Sequence, residues 1–482
     1  MYLTQTDIVK LKLMETSTPT TSEFLMEIIN AHKNSEDRKE MEEGERYYRL
    51  KQKILDHDFR EYFIDGIKNV NKNKANEKVV HAYHKLLVDQ KISYIASKPV
   101  TFTTDEQGSP IADFMNKSNF QKVIYEWLKK SSNNGVAYLH PYINRMGGLS
   151  FAMMPGTEII PIYDTSYQME LIGVMRYYYL EKTLKSNSGI YTPKRMRVEI
   201  WTGDKVLYLM ENDSGELEKD DTVNPNPRGH WFVYNTLNPK AMKDESWGRV
   251  PFVELRNNAE KMTDLKVVKT LIDNYDFNVS DFSNKLIDVA RAIWVLKGYA
   301  GTSLSEFVKN LNEYGAMKVD KTGSVENKTL DLPYEAHDSH LNRIEDNIFV
   351  FGMGVNPKMD KYGNSPSGIA LKFMYSGLDL KSNIAINELR PALENTAEFL
   401  QTYFAKVARK DLALDGFSAT FNKSMLVNDK EIVDMARESK GIISDKTIIS
   451  NHPWVNNPDE EIKQMEEEEK KKNDPYNEML NE

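Results

Sequence analysis

Four histidines form the first group of residues that could carry chemistry. His81 and His84 are three residues apart, as are His337 and His340, and on a helix this spacing could place two imidazoles where they bind a metal ion. Neither pair has an obvious third ligand nearby, so we interpret both pairs as surface or partly buried histidines. The sequence contains no cysteine, which excludes disulfide bonds and thiolate zinc sites and is compatible with a reducing cytoplasm.

A glycine-rich stretch has the outer spacing of a phosphate-binding loop. Residues 363–368 read GNSPSG and open a predicted helix. Ile369 and Ala370 follow at the positions where such a loop needs a lysine and a hydroxyl side chain, so phosphates and magnesium would not be held. We therefore interpret the stretch as a loop that caps a helix. No metalloprotease, nucleophile-elbow or kinase motif is present in the sequence, so we predict no catalytic site, no metal and no cofactor.

Two lysines lie in the same loop. Residues 352–368 contain four glycines, two prolines, Lys358 and Lys361. Spacing alone favours two solvated lysines. The alternative is a mobile loop whose lysines touch a passing polyanion.

The helices on either side position this loop. A short helix is predicted at residues 335–351, since Leu341, Ile344 and Ile348 recur at helical spacing. A long helix is predicted from residue 367 towards 410, and its first half is apolar almost all round, which is typical of a helix inside a large protein or between subunits. Pro391 predicts a kink within it.

The composition limits the classes of function. The chain has 482 residues, enough for two to four domains, and a formal net charge of −9. Proteins that grip nucleic acid statically usually carry a basic excess, so the acidic balance predicts at most weak, sliding contact with DNA. We find neither the apolar core of a signal peptide nor a run of about 18 apolar residues, so no membrane span is expected.

The remaining elements follow from periodicity. Residues 1–45 are interpreted as peripheral, and the pattern changes from helical to alternating near residue 135, which predicts an antiparallel β-rich module. Further helices are predicted at residues 47–63, 79–97, 114–130, 262–290, 303–314, 428–439 and 445–451. Strands are predicted at residues 98–103, 136–143, 149–154, 169–180, 196–201, 205–210, 292–296, 316–319, 330–332 and 417–422. The charged run at residues 459–472 is expected to be solvated or a terminal helix.

Several stretches, taken in order, are similar to one known family. The chain resembles the SPP1-like (Gp6-like) portal proteins of tailed bacteriophages from about residue 45 to residue 465. The resemblance is carried by KLLVDQKISYIASKPVTF at 85–102, MTDLKVVK at 262–269, LIDNYD at 271–276, VLKGYAGT at 295–302, FGMGVNP at 351–357, SGIALKF at 367–373 and SGLDLK at 376–381.

The resemblance implies an α+β, mainly helical portal fold. Its regions would be a wing at residues 46–261, a stem at 262–290 and 333–351, a clip at 291–332, a tunnel loop at 352–367, a long kinked helix with a wing return strand at 368–424, and a crown with a charged tail at 425–482. The DNA-facing residues of the tunnel loop would be drawn from Asn356, Lys358, Met359, Lys361, Tyr362 and Asn364. The partner-binding residues of the clip would be Ser303, Glu306, Lys309, Asn310 and Lys321.

The resemblance also implies a function. Copies of the chain, usually twelve, would form a ring at one capsid vertex and conduct double-stranded DNA during packaging and ejection. The partners would be the terminase large subunit, the head–tail adaptor, and the major capsid and scaffolding proteins, with assembly in the host cytoplasm. The packaging ATPase is a separate protein in this family, which agrees with the incomplete phosphate-binding motif. The alternatives are a non-ring capsid or adaptor protein and, less favoured, an intracellular enzyme with an unrecognised site.

Overall fold

The computed structural model describes most of the chain. The described residues are 19–106, 108–164, 170–181, 184–186, 189–191, 194–234, 242–289, 293–297, 324–328, 333–358, 368–423, 429–450, 452, 454–455 and 458–472. They divide into two units. The first unit comprises Met1–Tyr48, His84–Val267 and Gly352–Glu482, and the second comprises Arg49–Tyr83 and Val268–Phe351.

The first unit begins with two helices that are not peripheral. Helix α1 spans Pro19–Asn34 and helix α2 spans Glu36–Tyr48. Leu25 and Ile29 of α1 are almost fully buried in a core that also contains side chains of a β-sheet. The expectation that residues 1–45 are peripheral is therefore wrong for the described part. The apolar side chains of α1 recur at helical spacing and form a stripe that packs into this core. In the sequence, a run of threonines and serines at the start of the helix makes this stripe hard to recognise.

Three more helices precede the β-rich module. They are α3 (Tyr83–Ala96), α4 (Pro110–Asn116) and α5 (Ser118–Asn134). The single helix predicted at residues 114–130 is instead divided, since Lys117 is extended between α4 and α5. Next to this break, the Asn116 side chain accepts a hydrogen bond from the Phe102 N–H at 2.9 Å and donates one to the Phe102 carbonyl at 3.0 Å.

The predicted antiparallel module is confirmed. Its strands form a five-stranded sheet in the order β12-β11-β10-β7-β6, a three-stranded sheet in the order β15-β4-β5, and short hairpins. The strands are β4 (Val136–Ile143), β5 (Leu149–Met154), β6 (Ile159–Tyr163), β7 (Leu171–Glu181), β8 (Leu184–Ser186), β9 (Gly189–Tyr191), β10 (Lys194–Trp201), β11 (Val206–Glu211), β12 (Leu217–Lys219), β13 (Trp231–Tyr234), β14 (Met242–Glu245) and β15 (Val253–Arg256).

One long helix, α8, spans Gly368–Lys406 and continues through Pro391. Its buried face joins side chains of α3, α5 and the three-stranded sheet in the largest core cluster. The expectation of burial on every side is not met within one chain, because Phe373, Leu380 and Ile384 are 75%, 55% and 42% exposed. Their spacing of seven and four residues places them on one stripe of the helix.

The second unit contains a hairpin and two helices. Strands β1 (Glu61–Ile64) and β2 (Ile67–Val70) pair antiparallel around Asp65-Gly66, and both turn residues have positive φ. The helix predicted at residues 47–63 is therefore wrong. Asp-Gly between two apolar runs is the signal for a two-residue hairpin turn, and it overrides the helical periodicity there.

The long helices of the second unit are α6 (Lys269–Val289) and α7 (Tyr334–Phe351). Helix α6 begins seven residues later than predicted, because the Asn258 side chain accepts a hydrogen bond from the Met262 N–H and holds a turn there. Strands β16 (Ile293–Lys297) and β17 (Ser324–Lys328) pair antiparallel, and β17 was not predicted. The helix at 303–314 and the strands at 316–319 and 330–332 lie outside the described residues.

The C-terminal part adds short elements to the first unit. Strand β18 (Ser418–Thr420) pairs with β3 (Thr101–Thr103), followed by α9 (Asp429–Glu438), α10 (Asp445–Ser450) and α11 (Pro458–Lys472). The charged run at residues 459–472 thus forms a helix, which confirms one of the two alternatives predicted for it. Among the described residues, no helix combines the length and the apolar content that crossing a bilayer requires.

We predict that Gly135→Ala destabilises the chain far more than Gly147→Ala. Both glycines have positive φ, so each substitution costs about 1–2 kcal/mol for a left-handed alanine. A Cβ at Gly135 would also overlap the carbonyl oxygen of Lys261, whereas one at Gly147 meets open space. We expect Gly135→Ala to cost at least about 3 kcal/mol in total. Urea unfolding followed by circular dichroism measures the difference, and equal midpoints for the two variants would contradict it.

Candidate functional site

The segment Gly352 to Lys358 follows helix α7 and begins the loop that carries the two lysines of interest. Gly352 is buried, and Met353 adopts a left-handed backbone conformation with φ of 52°. Pro357 and Lys358 are exposed at the end of the segment. The chain thus runs from a buried start to an exposed lysine within seven residues.

A glutamine of helix α3 holds the middle of this segment. The Gln90 side-chain carbonyl accepts a hydrogen bond from the Val355 N–H at 3.0 Å, and its amide nitrogen donates one to the Val355 carbonyl at 2.7 Å. Both backbone groups of Val355 are satisfied by one side chain, as they would be by one residue of a neighbouring strand. The contact joins residues 265 positions apart in the sequence.

A lysine of helix α8 holds the start of the segment. Lys381 Nζ donates a hydrogen bond to the Gly352 carbonyl at 3.0 Å and lies 3.3 Å from the carboxylate of Asp264. The Lys381 side chain is 13% exposed. This lysine therefore connects the loop to a charged centre inside the first unit.

That centre consists of one carboxylate between two lysines. Lys91 Nζ lies 2.7 Å from the carboxylate of Asp264, and these side chains are 1% and 6% exposed. Asn257 completes the centre, since its side-chain oxygen accepts from Lys91 at 2.6 Å and its amide donates to Asp264 at 2.9 Å. Each buried charge thus has a partner and a hydrogen bond, which burial requires.

Burial and neighbouring charges shift the pKa values of these groups in opposite directions. Burial lowers the pKa of Lys91 to about 8, although the neighbouring Asp264 favours the charged form. Burial would raise the pKa of Asp264, but the charges of Lys381 and Lys91 outweigh it and hold that pKa well below its usual value. Asp264 is therefore ionised at neutral pH.

The structure describes two of the six residues predicted to face DNA. Lys358 is exposed, whereas the Asn356 side chain is only 6% exposed and accepts a hydrogen bond from the Lys358 N–H at 3.0 Å. Asn356 turns the chain and does not offer its side chain to solvent. The remaining loop residues, Met359, Lys361, Tyr362 and Asn364, lie outside the described residues. The clip residues Ser303, Glu306, Lys309, Asn310 and Lys321 lie outside them too.

Three of the four histidines, His81, His84 and His337, contact other protein groups, and His340 is exposed. His81 Nδ1 lies 2.7 Å from the carboxylate of Asp276, and His337 stacks on the Phe282 ring at 4.0 Å. His84 is more deeply buried than we predicted, with no exposed surface, and burial lowers its pKa to about 4. No group of three or more potential metal ligands exists among the residues that the structure describes.

Gln90, Lys91 and Asp264 are the contacts that the sequence pattern did not single out. The position of Lys91 could have indicated a buried charge, because it lies among the apolar residues of α3 that are buried in the core. Asp264 carries no such signal, since it was predicted only as part of the helix at residues 262–290. The arrangement can fix the backbone in place, and its residues form no nucleophile–base pair.

Most of the chain matches one family of known proteins. The family described as "Phage portal protein, SPP1 Gp6-like" matches residues 28–475. The portal protein of Bacillus phage SPP1 is 31% identical over 432 residues, which cover 88% of this chain and 82% of that protein. The portal protein of Clostridium phage phiCD119 is 30% identical over 423 residues, which cover 84% of this chain and 88% of that protein.

The solved structures give a more distant likeness. The neck of an empty GTA particle, computed with C6 symmetry, matches with a TM-score of 0.43 and 9% identity. The match covers 76% of this chain and 88% of that one. The neck of the native particle, computed with C12 symmetry, has a TM-score of 0.41 at 9% identity and covers 77% and 89% of the two chains.

We predict that Asp264→Ala destabilises the chain more than Lys91→Met. Removing the carboxylate leaves Lys91 and Lys381 buried without a counter-charge, which costs about 3–5 kcal/mol. Lys91→Met keeps the length of the side chain and leaves Asp264 paired with Lys381, so we expect a smaller loss. Thermal unfolding at pH 7 measures both variants. The reverse order would show that Asp264 does not hold the centre together.

Proposed function

This chain belongs to the SPP1 Gp6-like family of phage portal proteins, and from this premise we propose that copies of it form a ring at one capsid vertex. Double-stranded DNA passes through this ring during packaging and ejection. The observation that carries the proposal is the family match over residues 28–475, with two portal proteins at least 30% identical. Portal proteins are structural components of the virion, and we propose no enzymatic activity for this chain.

An exposed apolar stripe supports assembly. Phe373, Leu380 and Ile384 lie on one face of α8 and are at least 42% exposed in the single chain. Removing such a stripe from water is favourable by about 25 cal/mol per Å². A neighbouring copy of the chain would bury it, which agrees with the sequence pattern of a helix that is apolar all round.

The charge of the chain supports transit of DNA without retention. The formal net charge is −9, so the ring as a whole repels the phosphate backbone. Each phosphate neutralised by a lysine or arginine adds affinity and would slow translocation. We therefore propose that contact with DNA is confined to a few basic side chains, of which Lys358 is an exposed example.

We propose the following roles for the regions of the chain. Helices α6 and α7 form the stem, residues 291–332 form the clip, and residues 352–367 form the tunnel loop, with Lys358, Met359, Lys361, Tyr362 and Asn364 as its DNA-facing candidates. The paired strands β16 and β17 support a compact clip that is held between the two stem helices in sequence. The clip docks the terminase large subunit and later the head–tail adaptor. The major capsid and scaffolding proteins are further partners during assembly in the host cytoplasm.

We predict that Leu380→Asp weakens assembly of the ring. A carboxylate in the centre of a buried interface lacks a partner and costs about 3 kcal/mol, so the concentration needed for assembly rises roughly a hundredfold. Light scattering and electron microscopy of the purified full chain measure subunit number and the central hole. Met146→Asp is the matched control, because Met146 is 96% exposed and lies in the turn between β4 and β5, which contacts α8 at Tyr403 and not at the stripe residues. A native chain that stays monomeric at high concentration contradicts the ring, and a closed oligomer without a hole favours an adaptor protein.

We predict that Lys358→Ala combined with Lys361→Ala leaves the ring intact but lowers the yield of packaged DNA. Each lysine lost removes at most one phosphate contact. Each lost contact reduces the slope of log binding constant against log salt concentration by about one. Lys72→Ala combined with Lys74→Ala is the control, because it changes net charge equally at two exposed lysines of the second unit. Equal packaging by wild type and the loop variant would remove these lysines from the mechanism.

A further inference from the structure

Three hydrogen bonds from side chains fasten the first four residues of the tunnel loop. Lys381 binds the Gly352 carbonyl, and Gln90 binds both backbone groups of Val355. We infer that Gln90 and Lys381 are positioning residues, which fix the base of the loop to helices α3 and α8. The inference rests on the proposed tunnel loop, because its effect on function passes through the lysines that follow Val355.

The Gln90 contact requires the chemistry of an amide. Its carbonyl accepts at 3.0 Å and its amide nitrogen donates at 2.7 Å, so the side chain must supply an acceptor and a donor in a fixed plane. Glutamate supplies the acceptor alone, and methionine of the same length supplies neither in useful strength. The support beneath this contact is rigid, since Leu87, Val88 and Ile92 of the same helix are almost fully buried.

The Lys381 contact adds a charge to the anchor. Its ammonium group lies between the Gly352 carbonyl at 3.0 Å and Asp264 at 3.3 Å, so its position is set by the buried centre and not by solvent. Hydrogen bonds that involve an ionised donor are stronger than neutral ones. The two anchors therefore act at both ends of the segment Gly352–Val355.

The anchors determine where the DNA-facing part of the loop begins. The Asn356 side chain is buried and accepts a hydrogen bond from the Lys358 N–H, so the direction of the chain is held as far as the first lysine. Lys358 is consequently presented from a fixed point on the subunit. Without the anchors, the same lysine would sample many positions and would not be held at a fixed place relative to the DNA phosphates.

Hydrogen–deuterium exchange of the assembled full chain tests the anchor. Gln90→Met removes the acceptor of the Val355 N–H, so exchange in the peptide covering residues 352–358 should rise about tenfold. Gln90→Glu keeps the acceptor and should give an intermediate rate while retaining the shape of the side chain. This variant also covers the case in which Gln90→Met fails to fold.

The chain offers a matched control for these variants. Gln121 binds both backbone groups of Val100 in the same way, at 2.9 Å and 2.8 Å. Gln121→Met should raise exchange around Val100 and leave residues 352–358 unchanged, whereas Gln90→Met should do the reverse. If both variants raise exchange equally in both peptides, the effect is a general loss of stability and the inference is overturned.

The yield of packaged DNA separates this inference from the proposed function. Increased exchange at residues 352–358 together with reduced packaging, for Gln90→Met but not Gln121→Met, supports both. Increased exchange with unchanged packaging supports the anchor and contradicts a role of this loop in DNA transit. Unchanged exchange at residues 352–358 overturns the anchor, whatever the packaging yield.

Discussion

The structure depends on one buried carboxylate. Asp264 lies between Lys91 of α3 and Lys381 of α8, and both lysines are largely withdrawn from water. An ammonium group without a counter-charge is expensive to bury, so the two helices can pack only if the turn that carries Asp264 is in place. Asn257 fixes that turn, because its amide also donates to the Met262 carbonyl at 2.9 Å. Electrostatics thus determines the arrangement of three segments that are remote in the sequence.

The same centre explains why the loop has a defined base. Gln90 and Lys91 are adjacent on α3, and a helix directs neighbouring side chains about 100° apart. Lys91 therefore reaches the buried carboxylate while Gln90 reaches the backbone of Val355. Lys381 serves both purposes with one side chain, since it contacts Asp264 and the Gly352 carbonyl. Because the loop and the centre share these elements, a change in the packing of α3 against α8 changes the origin of the loop.

Much of this architecture is encoded in local sequence patterns, and the parts that are not have identifiable causes. Alternating residues predicted β4 and β5, and apolar periodicity predicted α7 and α8. The hairpin at Asp65-Gly66 was missed because two turn residues decide the structure against a longer helical pattern. The ionic centre could not be predicted, because it joins Lys91, Asp264 and Lys381 across almost 300 residues and has no local signature. The loop residues after Lys358 remain a prediction.

A site made of anchors suits a protein that must let its cargo pass. A catalytic acid or base must reach a substrate, whereas Lys91, whose pKa burial lowers to about 8, and Asp264, which stays ionised, are buried and bonded to each other. Conduction of DNA instead needs charges presented at fixed positions and few in number, since a basic surface would retain the polyanion. An acidic chain with a lysine-bearing loop fastened at its base meets both conditions. We propose that the rigid base of the loop and a weak contact with DNA go together, because most of the charge at this site is buried where it holds the fold.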